Sequence, residues 1–361
     1  RAAQPAWAAL PLAERERYLA RIRDYLVDNA DAVSETIAKD VGKTRVEALA
    51  TEVLTSALAT DYYLKNARRF LRPRKVRGGS LLFLNKRSRI FRTPFGVIGI
   101  IAPWNYPLGI PMHEIVPALL AGNAVIFKTA PETQMVGRKI EEMIRAASLP
   151  ADIFIHLNIP GAIIGQILLE PDLHVDKLFF TGSVPVGKTL MAKAAETLTP
   201  VSLELGGNDP MLVCPDANLE RAVNGAMWAG LQNSGQSCGG VERIYVHRDV
   251  YEPFVRLLKQ RVETLRQGPN TDHNVDIGAM CTERQIKTIQ RQVEDALTKG
   301  ATLLAQVKID PAHARANFYP VTVLTDVDHS MELMREETFG PVLGVMKVDD
   351  MERAIELAND S

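Results

Sequence analysis

The sequence predicts an α/β protein built on a doubly wound parallel sheet. Short apolar segments alternate with helix-like segments between residues 97 and 196, and strands joined by crossover helices run parallel. Gly-containing turns follow several of these apolar segments, as they do where such strands end beside a nucleotide. The 361 residues are 46% hydrophobic and 24% charged. That composition is typical of globular domains, and the length suits two or three of them.

The predicted elements follow one another in a regular order. Residues 12–29 and 46–71 carry apolar side chains at helical spacing. Strands are predicted at 97–102, 124–128, 153–157 and 177–180, and helices at 113–121, 134–147, 163–169 and 188–196. Later helices are predicted near 219–231, 250–267 and 283–299.

A basic, extended stretch at residues 73–95 interrupts this order. Charged extended stretches usually form exposed or partner-facing strands. We therefore expect a Rossmann-like cofactor domain, an extended arm, and a second α/β domain, to which the resemblance described below assigns the catalytic role. Their predicted bounds are 1–75 with 95–206, 76–94, and 207–361 respectively.

Charge and cysteine content exclude several classes of protein. With 42 Lys and Arg against 43 Asp and Glu, the chain has no basic footprint for nucleic acid or an acidic membrane. No apolar run reaches the ~18 residues of a membrane span. Three cysteines without a Cys-x-x-Cys pair disfavour a disulfide framework or a metal site, and they indicate a reducing compartment such as the cytoplasm.

The two ends of the chain are typical of a piece of a longer protein. It begins with Arg1 rather than Met, without a recognisable signal peptide, and it stops at Ser361 directly after a helix-like stretch. We expect further sequence beyond Ser361.

The segment Gly182 to Thr189 fits the phosphate-binding pattern G-x-x-x-x-G-K-[ST]. Backbone N–H groups at the start of a helix can hold a phosphate, which makes phosphate binding the expected function. A nucleotide triphosphatase also needs a strand that ends in a metal-binding Asp. The nearest candidate, residues 211–216, is interrupted by Pro215, which disfavours that alternative.

Cys238 lies in a Gly- and Ser-rich turn, residues 235–240. Small neighbours leave the sulfur accessible, and backbone N–H groups in such a turn can lower the thiol pKa and stabilise an oxyanion. We therefore interpret Cys238 as a nucleophile, whereas Cys214 and Cys281 are expected to be small buried apolar residues. The seven His residues are scattered, so a Cys–His hydrolase has no evident base.

Glu204 and Asn105 are two further candidates. Glu204 stands in an apolar strand before two glycines, and it is either an ion-pair partner or a general base whose pKa burial raises. Asn105 follows the first strand of the sheet, and it either caps a turn or donates its amide to an oxyanion.

Together these motifs resemble the aldehyde dehydrogenase superfamily, in the same order and over essentially the whole chain. The matching positions are the Pro-Trp-Asn turn at 103–105, Lys128, and residues 180–183, 204–207, 235–238 and 336–341. The resemblance implies that Cys238 attacks an aldehyde, that hydride passes to NAD or NADP, and that Glu204 activates the water that hydrolyses the thioester. Asn105 and the backbone N–H of Cys238 would form the oxyanion hole.

The resemblance also implies a cofactor site and a subunit arm. Ser183 and the helix start behind it would hold the pyrophosphate, Glu337 the nicotinamide ribose, and Trp104 with Lys128 the adenosine ribose. The cofactor residues implied are Ile101, Trp104, Lys128, Gly161, Gly165, Gly182, Ser183, Leu205, Gly206, Glu337 and Phe339. The arm at 76–94 would join subunits in a homodimer or homotetramer.

Several positions depart from the family pattern. Pro131 stands where many members carry a ribose-binding Glu, which leaves the choice between NAD and NADP open. His113 and Glu114 replace an aromatic residue and a Lys. The substrate pocket implied by the resemblance contains Tyr106, His113, Ser237 and Gly239, and it favours a medium or long aliphatic, or an aromatic, small-molecule aldehyde.

Two alternative functions remain at this stage. A CoA-acylating relative would resolve the thioester with a thiol, and the presence of Glu204 argues against it. A non-catalytic dinucleotide-binding scaffold would not need Cys238. The sequence therefore predicts a non-acylating, NAD(P)-dependent aldehyde dehydrogenase.

Overall fold

The computed structural model describes residues 1–76, 79–80, 85–269, 274–313 and 317–361. Its α-helices are α1 (Gln4–Ala9), α2 (Leu12–Asp28), α3 (Ala30–Val41), α4 (Arg45–Glu47), α5 (Leu54–Leu71), α6 (Gly109–Leu120), α7 (Gln134–Ala146), α8 (Gly161–Ile167), α9 (Val184–Thr197), α10 (Leu219–Leu231), α11 (Arg248–Val262), α12 (Glu283–Thr298) and α13 (Met351–Ala358). Its strands are β1 (Arg74–Val76), β2 (Ser88–Ile90), β3 (Val97–Ile101), β4 (Ala124–Lys128), β5 (Phe154–Leu157), β6 (Lys177–Thr181), β7 (Val201–Glu204), β8 (Asp209–Val213), β9 (Val241–His247), β10 (Thr302–Gln306), β11 (Thr322–Thr325) and β12 (Val342–Val348). No helix in these described ranges is long and apolar enough to cross a membrane.

The chain forms two compact units. One contains residues 1–33 and 49–204, and the other contains 34–48 and 205–361. The predicted boundary placed 34–48 in the first domain, but the structure places this segment in the second unit. The Glu47 carboxylate accepts the backbone N–H of Asn233 at 2.7 Å, and the Gly42 carbonyl accepts the N–H of Ala279 at 2.8 Å. These long-range bonds fix the segment to residues far along the chain.

Within the described residues, the first unit contains a parallel sheet of order β5-β4-β3-β6-β7. All five residues of β3 are buried, as expected for a central parallel strand with both faces covered. The strand order reverses between β3 and β6, and ligands of doubly wound sheets bind beside such a reversal. Register pairs Ile101 with Lys128 and Thr181 with Glu204, so the carboxyl ends of these strands lie at one edge.

The helices around this sheet match most of the predicted positions. In α7, Val136, Ile140 and Met143 are buried at helical spacing. The predicted helix at 46–71 differs, because a π-helical stretch at Ala48–Val53 separates α4 from α5. This stretch places the buried Glu52 carboxylate against the backbone N–H groups of Leu108 and Gly109, at 2.8 and 3.1 Å.

The second unit contains a sheet of order β10-β11-β12-β9-β8 among the described residues. β10 pairs antiparallel with β11, and the other neighbours are parallel. Apolar side chains of β9 and β12 pack with those of α10 and α11 in a buried core. Together with the first sheet, this arrangement confirms the predicted α/β class with a Rossmann-like sheet.

The predicted arm at 76–94 is described only in part. β1 and β2 form an antiparallel pair in which every residue is exposed. Residues 77–78 and 81–84 of the predicted arm lie outside the described residues. Its role in joining subunits stays a prediction.

Candidate active site

Asn105 lies in the turn between β3 and α6, at the sheet edge described above. It is 3% exposed, whereas Trp104 and Tyr106 beside it are half-buried. Because Glu52 accepts the N–H groups of Leu108 and Gly109, the start of α6 is fixed just beyond the turn. The chain thus holds Asn105 between two anchored elements.

Glu204 ends β7, the last strand at that side of the described sheet. Its carbonyl accepts the N–H of Gly182 at 3.0 Å, but its side chain is exposed. The expected burial of Glu204 is therefore wrong in this unit, since an edge strand with partly exposed neighbours does not enclose its last residue. An exposed carboxylate remains available to a water molecule.

Glu114 on α6 was predicted only as a departure from the family pattern, without a functional role. Its Oε2 atom is buried and has no hydrogen-bond partner among the described residues. Burial raises the pKa of Glu114 to about 8, and the nearby Glu204 carboxylate adds to the shift. Two carboxyl groups of the first unit therefore interact, one enclosed and one exposed. An acidic residue in the apolar α6 was the available signal. His113, its neighbour, is exposed.

Lys128 and Gly161, both predicted to bind the cofactor, lie together in the first unit. A Cβ on Gly161 would stand 3.7 Å from the Lys128 ammonium. Lys128 is 4% exposed, and burial lowers its pKa while Glu132 opposes this shift. Gly165 serves packing, because a Cβ there would come within 2.8 Å of Leu190 on α9.

The start of α9 fits a phosphate group. Ser183 precedes the helix, and in the described structure its side chain makes no capping hydrogen bond and the first turn carries no acidic residue. Residues 183–186 are exposed. A helix start with accessible N–H groups beyond a strand of a doubly wound sheet is a typical pyrophosphate site. Gly182 allows the close approach of the Phe180 ring, at 2.6 Å from where a Cβ would stand.

In the second unit, Cys238 is exposed at the tip of a buried loop. Asn233 and Ser234 adopt positive φ angles of 54° and 55°, which non-Gly residues rarely do. The Asn233 N–H is held by Glu47, and the Ser234 hydroxyl donates to the Gly278 carbonyl at 3.0 Å. These anchors stabilise the strained turn and present the thiol beyond it, with Ser237 half-buried and Gly239 exposed.

The other two cysteines differ from the expected buried residues. Cys214 is exposed, because it lies directly after β8, between the strand and a turn. Cys281 is half-buried, and its thiol donates to the Asp40 carbonyl at 3.9 Å. No group of three or more His, Cys, Asp and Glu in the described ranges could hold a metal ion.

Glu337 lies against Gly206 and Gly207, near the start of the 205–361 part of the second unit. Its Oε1 accepts the Gly207 N–H at 3.2 Å, and a Cβ on Gly206 would collide with its carboxylate. Burial raises the pKa of Glu337, the Gly207 hydrogen bond lowers it, and Asp209 raises it. The structure thus brings together Gly206 and Glu337, two of the predicted cofactor residues. Phe339, two residues on, adopts a φ of 51°.

A family model of the aldehyde dehydrogenase family matches residues 1–361. The chain belongs to the aldehyde dehydrogenase family. A putative succinate-semialdehyde dehydrogenase [NADP(+)] of Mycolicibacterium smegmatis is 38% identical over 361 residues, which are 100% of this chain and 68% of that protein. A 4,4'-diapolycopene aldehyde oxidase of Methylomonas is 40% identical over 355 residues, 98% of this chain and 65% of that protein.

Solved structures agree with this assignment. A crystal structure of aldehyde dehydrogenase from Brucella melitensis biovar abortus has a TM-score of 0.93 and 35% identity, covering 99% of this chain and 72% of the other. The chain thus spans roughly two thirds to three quarters of the lengths of these proteins, 65–68% for the two relatives and 72% for the crystal structure. The predicted family, fold class and enzyme class, an oxidoreductase of the aldehyde dehydrogenase family, are confirmed.

Proposed function

We propose that this aldehyde dehydrogenase oxidises its aldehyde through a thioester on Cys238 and releases a carboxylic acid. The observation that carries the proposal is the exposed thiol of Cys238 on a loop whose strained residues are fixed by buried hydrogen bonds. A nucleophile needs both an accessible atom and a fixed position. Cys214 is exposed without such a loop, and Cys281 is half-buried.

The proposed reaction balances as aldehyde, water and oxidised cofactor giving acid, reduced cofactor and a proton. The Cys238 thiolate attacks the carbonyl carbon, and the carbonyl oxygen becomes an oxyanion that the Asn105 amide and the Cys238 N–H stabilise. A bound nicotinamide, whose ribose Glu337 would hold, would supply the hydride acceptor. Loss of the hydride from the substrate carbon would restore the carbonyl as a thioester on Cys238. Glu204 then takes a proton from water, whose oxygen attacks the thioester carbon and expels the thiolate.

Each part of the cofactor is assigned to predicted residues of one of the two units. We assign the pyrophosphate to Ser183 and the exposed start of α9, and the nicotinamide ribose to Glu337 with Phe339 beside it. Trp104 and Lys128 would contact the adenosine ribose, and Gly161 and Gly165 would lie beside the adenine. The remaining predicted contacts are Ile101, Gly182, Leu205 and Gly206.

We expect this chain to use NADP as well as NAD. Lys128 keeps a cation where the adenosine ribose is assigned, and Pro131 removes the carboxylate that would repel a 2′-phosphate. The name of the M. smegmatis relative supports NADP. Glu132, which interacts with Lys128 electrostatically, is the group that would limit the use of NADP.

The substrate pocket is proposed to contain Tyr106, His113, Ser237 and Gly239. The two relatives have names that indicate different aldehydes, one a short semialdehyde and the other a carotenoid aldehyde. A panel from short charged to long aliphatic and aromatic aldehydes, assayed with NADP and NAD, would define the class. We further propose a homodimer or homotetramer in the cytoplasm, with residues 76–94 as the subunit arm.

The decisive experiment replaces the nucleophile. Cys238→Ser should abolish aldehyde oxidation while cofactor binding persists, because the thioester needs sulfur. Cys214→Ser and Cys281→Ser are matched controls and should keep most of the activity. Near-normal turnover by Cys238→Ser would disprove the proposed mechanism. A strong stimulation of the parent enzyme by CoA would favour the acylating alternative instead.

A further inference from the structure

Strand β9 carries a buried acid that the proposed reaction does not use. Glu242 is 3% exposed and is the second residue of β9, which lies between β12 and β8 in the second sheet. Its two carboxylate oxygens accept the backbone N–H groups of Thr338 and Phe339, at 2.5 and 2.8 Å. Both acceptors of one side chain thus bind two consecutive amides of one loop.

The carboxylate of Glu242 is not neutralised by a basic residue in the described part of the chain. Among the described residues Glu242 has no salt-bridge partner, and the neighbouring Arg243 donates to the Asn208 carbonyl and the Tyr245 hydroxyl. Burial raises the pKa of Glu242 to about 8, against the effect of the two amide hydrogen bonds. A buried acid without a counter-charge is costly, so its retention needs a reason beyond packing.

Two glutamines of α12 bind the same loop from its carbonyl side. Gln292 donates to the Glu337 carbonyl at 3.3 Å, and Gln285 donates to the Thr338 carbonyl at 2.8 Å. Side chains therefore hold the backbone of residues 337–339 at two N–H groups, which Glu242 accepts, and at two carbonyl groups, to which the glutamines donate. Such anchoring also maintains the positive φ of Phe339, a conformation that costs energy for a residue with a side chain.

The loop so anchored carries the two residues assigned to the nicotinamide ribose. The Glu337 carboxylate, at the other end of its side chain, meets the Gly207 N–H and the surface of Gly206. A backbone shift at 338 or 339 would move this carboxylate away from Gly207 and turn the Phe339 ring. The position of both groups thus depends on the carboxylate of Glu242.

We propose that Glu242 is a positioning residue for the cofactor, which holds the loop at 337–339 in its binding conformation before the cofactor arrives. The inference rests on the proposed function, since it takes Glu337 and Phe339 as cofactor residues. Preorganisation of this kind acts on affinity, because an unanchored loop must be ordered when the cofactor binds.

The test variant is Glu242→Gln, which keeps the shape of the side chain. Its amide oxygen can accept one loop N–H, but its NH2 group faces the other N–H, so the loop must shift. We expect the Kd for NADP, measured by calorimetry, to rise about tenfold, the scale of one unsatisfied buried hydrogen bond. Hydrogen exchange at the amides of 338 and 339 should be faster in the cofactor-free variant than in the parent.

Asn123→Leu is the matched control. Asn123 is also buried, and its side chain also makes two hydrogen bonds to the backbone: it accepts the N–H of Gly96 at 3.1 Å and donates to the Ala118 carbonyl at 3.0 Å. It lies at the amino ends of the strands in the first unit, at the opposite edge of the sheet from the predicted cofactor residues. This variant should lose comparable stability and keep the NADP Kd within about twofold. If Glu242→Gln lowers the melting temperature equally but leaves the Kd unchanged, Glu242 is structural and the proposal is wrong.

If Glu242→Gln does not fold, a second variant tests whether the anchoring of the loop at 337–339 affects cofactor affinity. Gln285→Met removes the donor to the Thr338 carbonyl from a half-buried position, so it perturbs the core less. We expect a smaller increase of the NADP Kd, about threefold, and faster exchange at Phe339; unchanged values would overturn the proposal. A parent protein that binds neither NADP nor NAD would instead refute the proposed function.

Discussion

The buried carboxyl of Glu114 should make stability depend on pH in a specific way. The pKa of this group is raised from 4.5 to about 8 in the folded protein. Between these values the unfolded chain has already lost the proton that the folded chain still binds. Stability is therefore highest below pH 4.5 for this group, and it decreases as pH rises towards 8.

The magnitude follows from the size of the shift. At about 1.4 kcal/mol for each pKa unit, the raised pKa of Glu114 lowers the free energy of unfolding, relative to its value well below pH 4.5, by about 3 kcal/mol at pH 7 and by about 5 kcal/mol above pH 9. Glu114→Gln removes the titration and keeps the volume. The Gln amide changes the free energy of unfolding by an amount that does not vary with pH. The difference between the slopes of unfolding free energy against pH, parent minus variant, therefore reports the titration of Glu114.

The assay is urea unfolding of the parent and the variant at pH 5, 7 and 9. The difference between their unfolding free energies should shift by about 3 to 4 kcal/mol in favour of Glu114→Gln between pH 5 and pH 9. Glu204→Gln should keep most of the parental slope, because burial is the larger cause of the shift and Glu204 the smaller. Parallel profiles for the parent and Glu114→Gln would show that Glu114 ionises normally, and the argument would be wrong.

Three further outcomes follow from the site. Glu204→Gln should release NAD(P)H in a first turnover and then stall, because the thioester is no longer hydrolysed; steady turnover at the parental rate, seen in stopped-flow absorbance, would contradict that role. Pro131→Glu should raise the KM for NADP by about tenfold and leave the KM for NAD nearly unchanged, since one charge repulsion is worth roughly 1–3 kcal/mol. Equal changes of KM for both cofactors would show that Lys128 and Pro131 do not determine the choice between NAD and NADP. Gly206→Ala should weaken cofactor binding in calorimetry, because the added Cβ collides with the Glu337 carboxylate, and an unaltered Kd would show that Glu337 can move freely.

Much of the first sheet could be predicted from local pattern. The strand at Ala124–Lys128 begins and ends as predicted, and β3 ends one residue earlier than predicted. Continuous apolar runs bounded by turn residues mark buried parallel strands because both faces are covered. Cys238 and Asn105 were predicted as catalytic candidates from their small or turn-forming neighbours. Cys238 is exposed and Asn105 is buried, and their catalytic roles stay predictions.

The features that could not be predicted from the sequence depend on contacts between residues that are far apart in the chain. The exposure of Glu204 follows from the edge position of β7, which only the strand order reveals. Glu114 and Glu242 were not predicted as functional residues, because the meaning of an acid in an apolar stretch depends on which groups face it. The π-helical stretch before α5 likewise depends on Glu52 meeting the start of α6, more than fifty positions later in the chain.

The assignment of residues 34–48 to the second unit has a consequence for how the protein can be divided and how it folds. Residues 205–361 expressed alone would lack Glu47, the acceptor for the Asn233 N–H, and this donor would be left in a buried, strained loop next to Cys238. The two partners are 186 positions apart, so their pairing closes a long loop, which is slow in folding. On a ribosome, residues 34–48 are synthesised first and must wait for residues 205–361 before they can pair with them, so the thiol loop would be among the last parts to become ordered. Supplying residues 34–48 as a separate peptide should therefore accelerate the refolding of a 205–361 fragment.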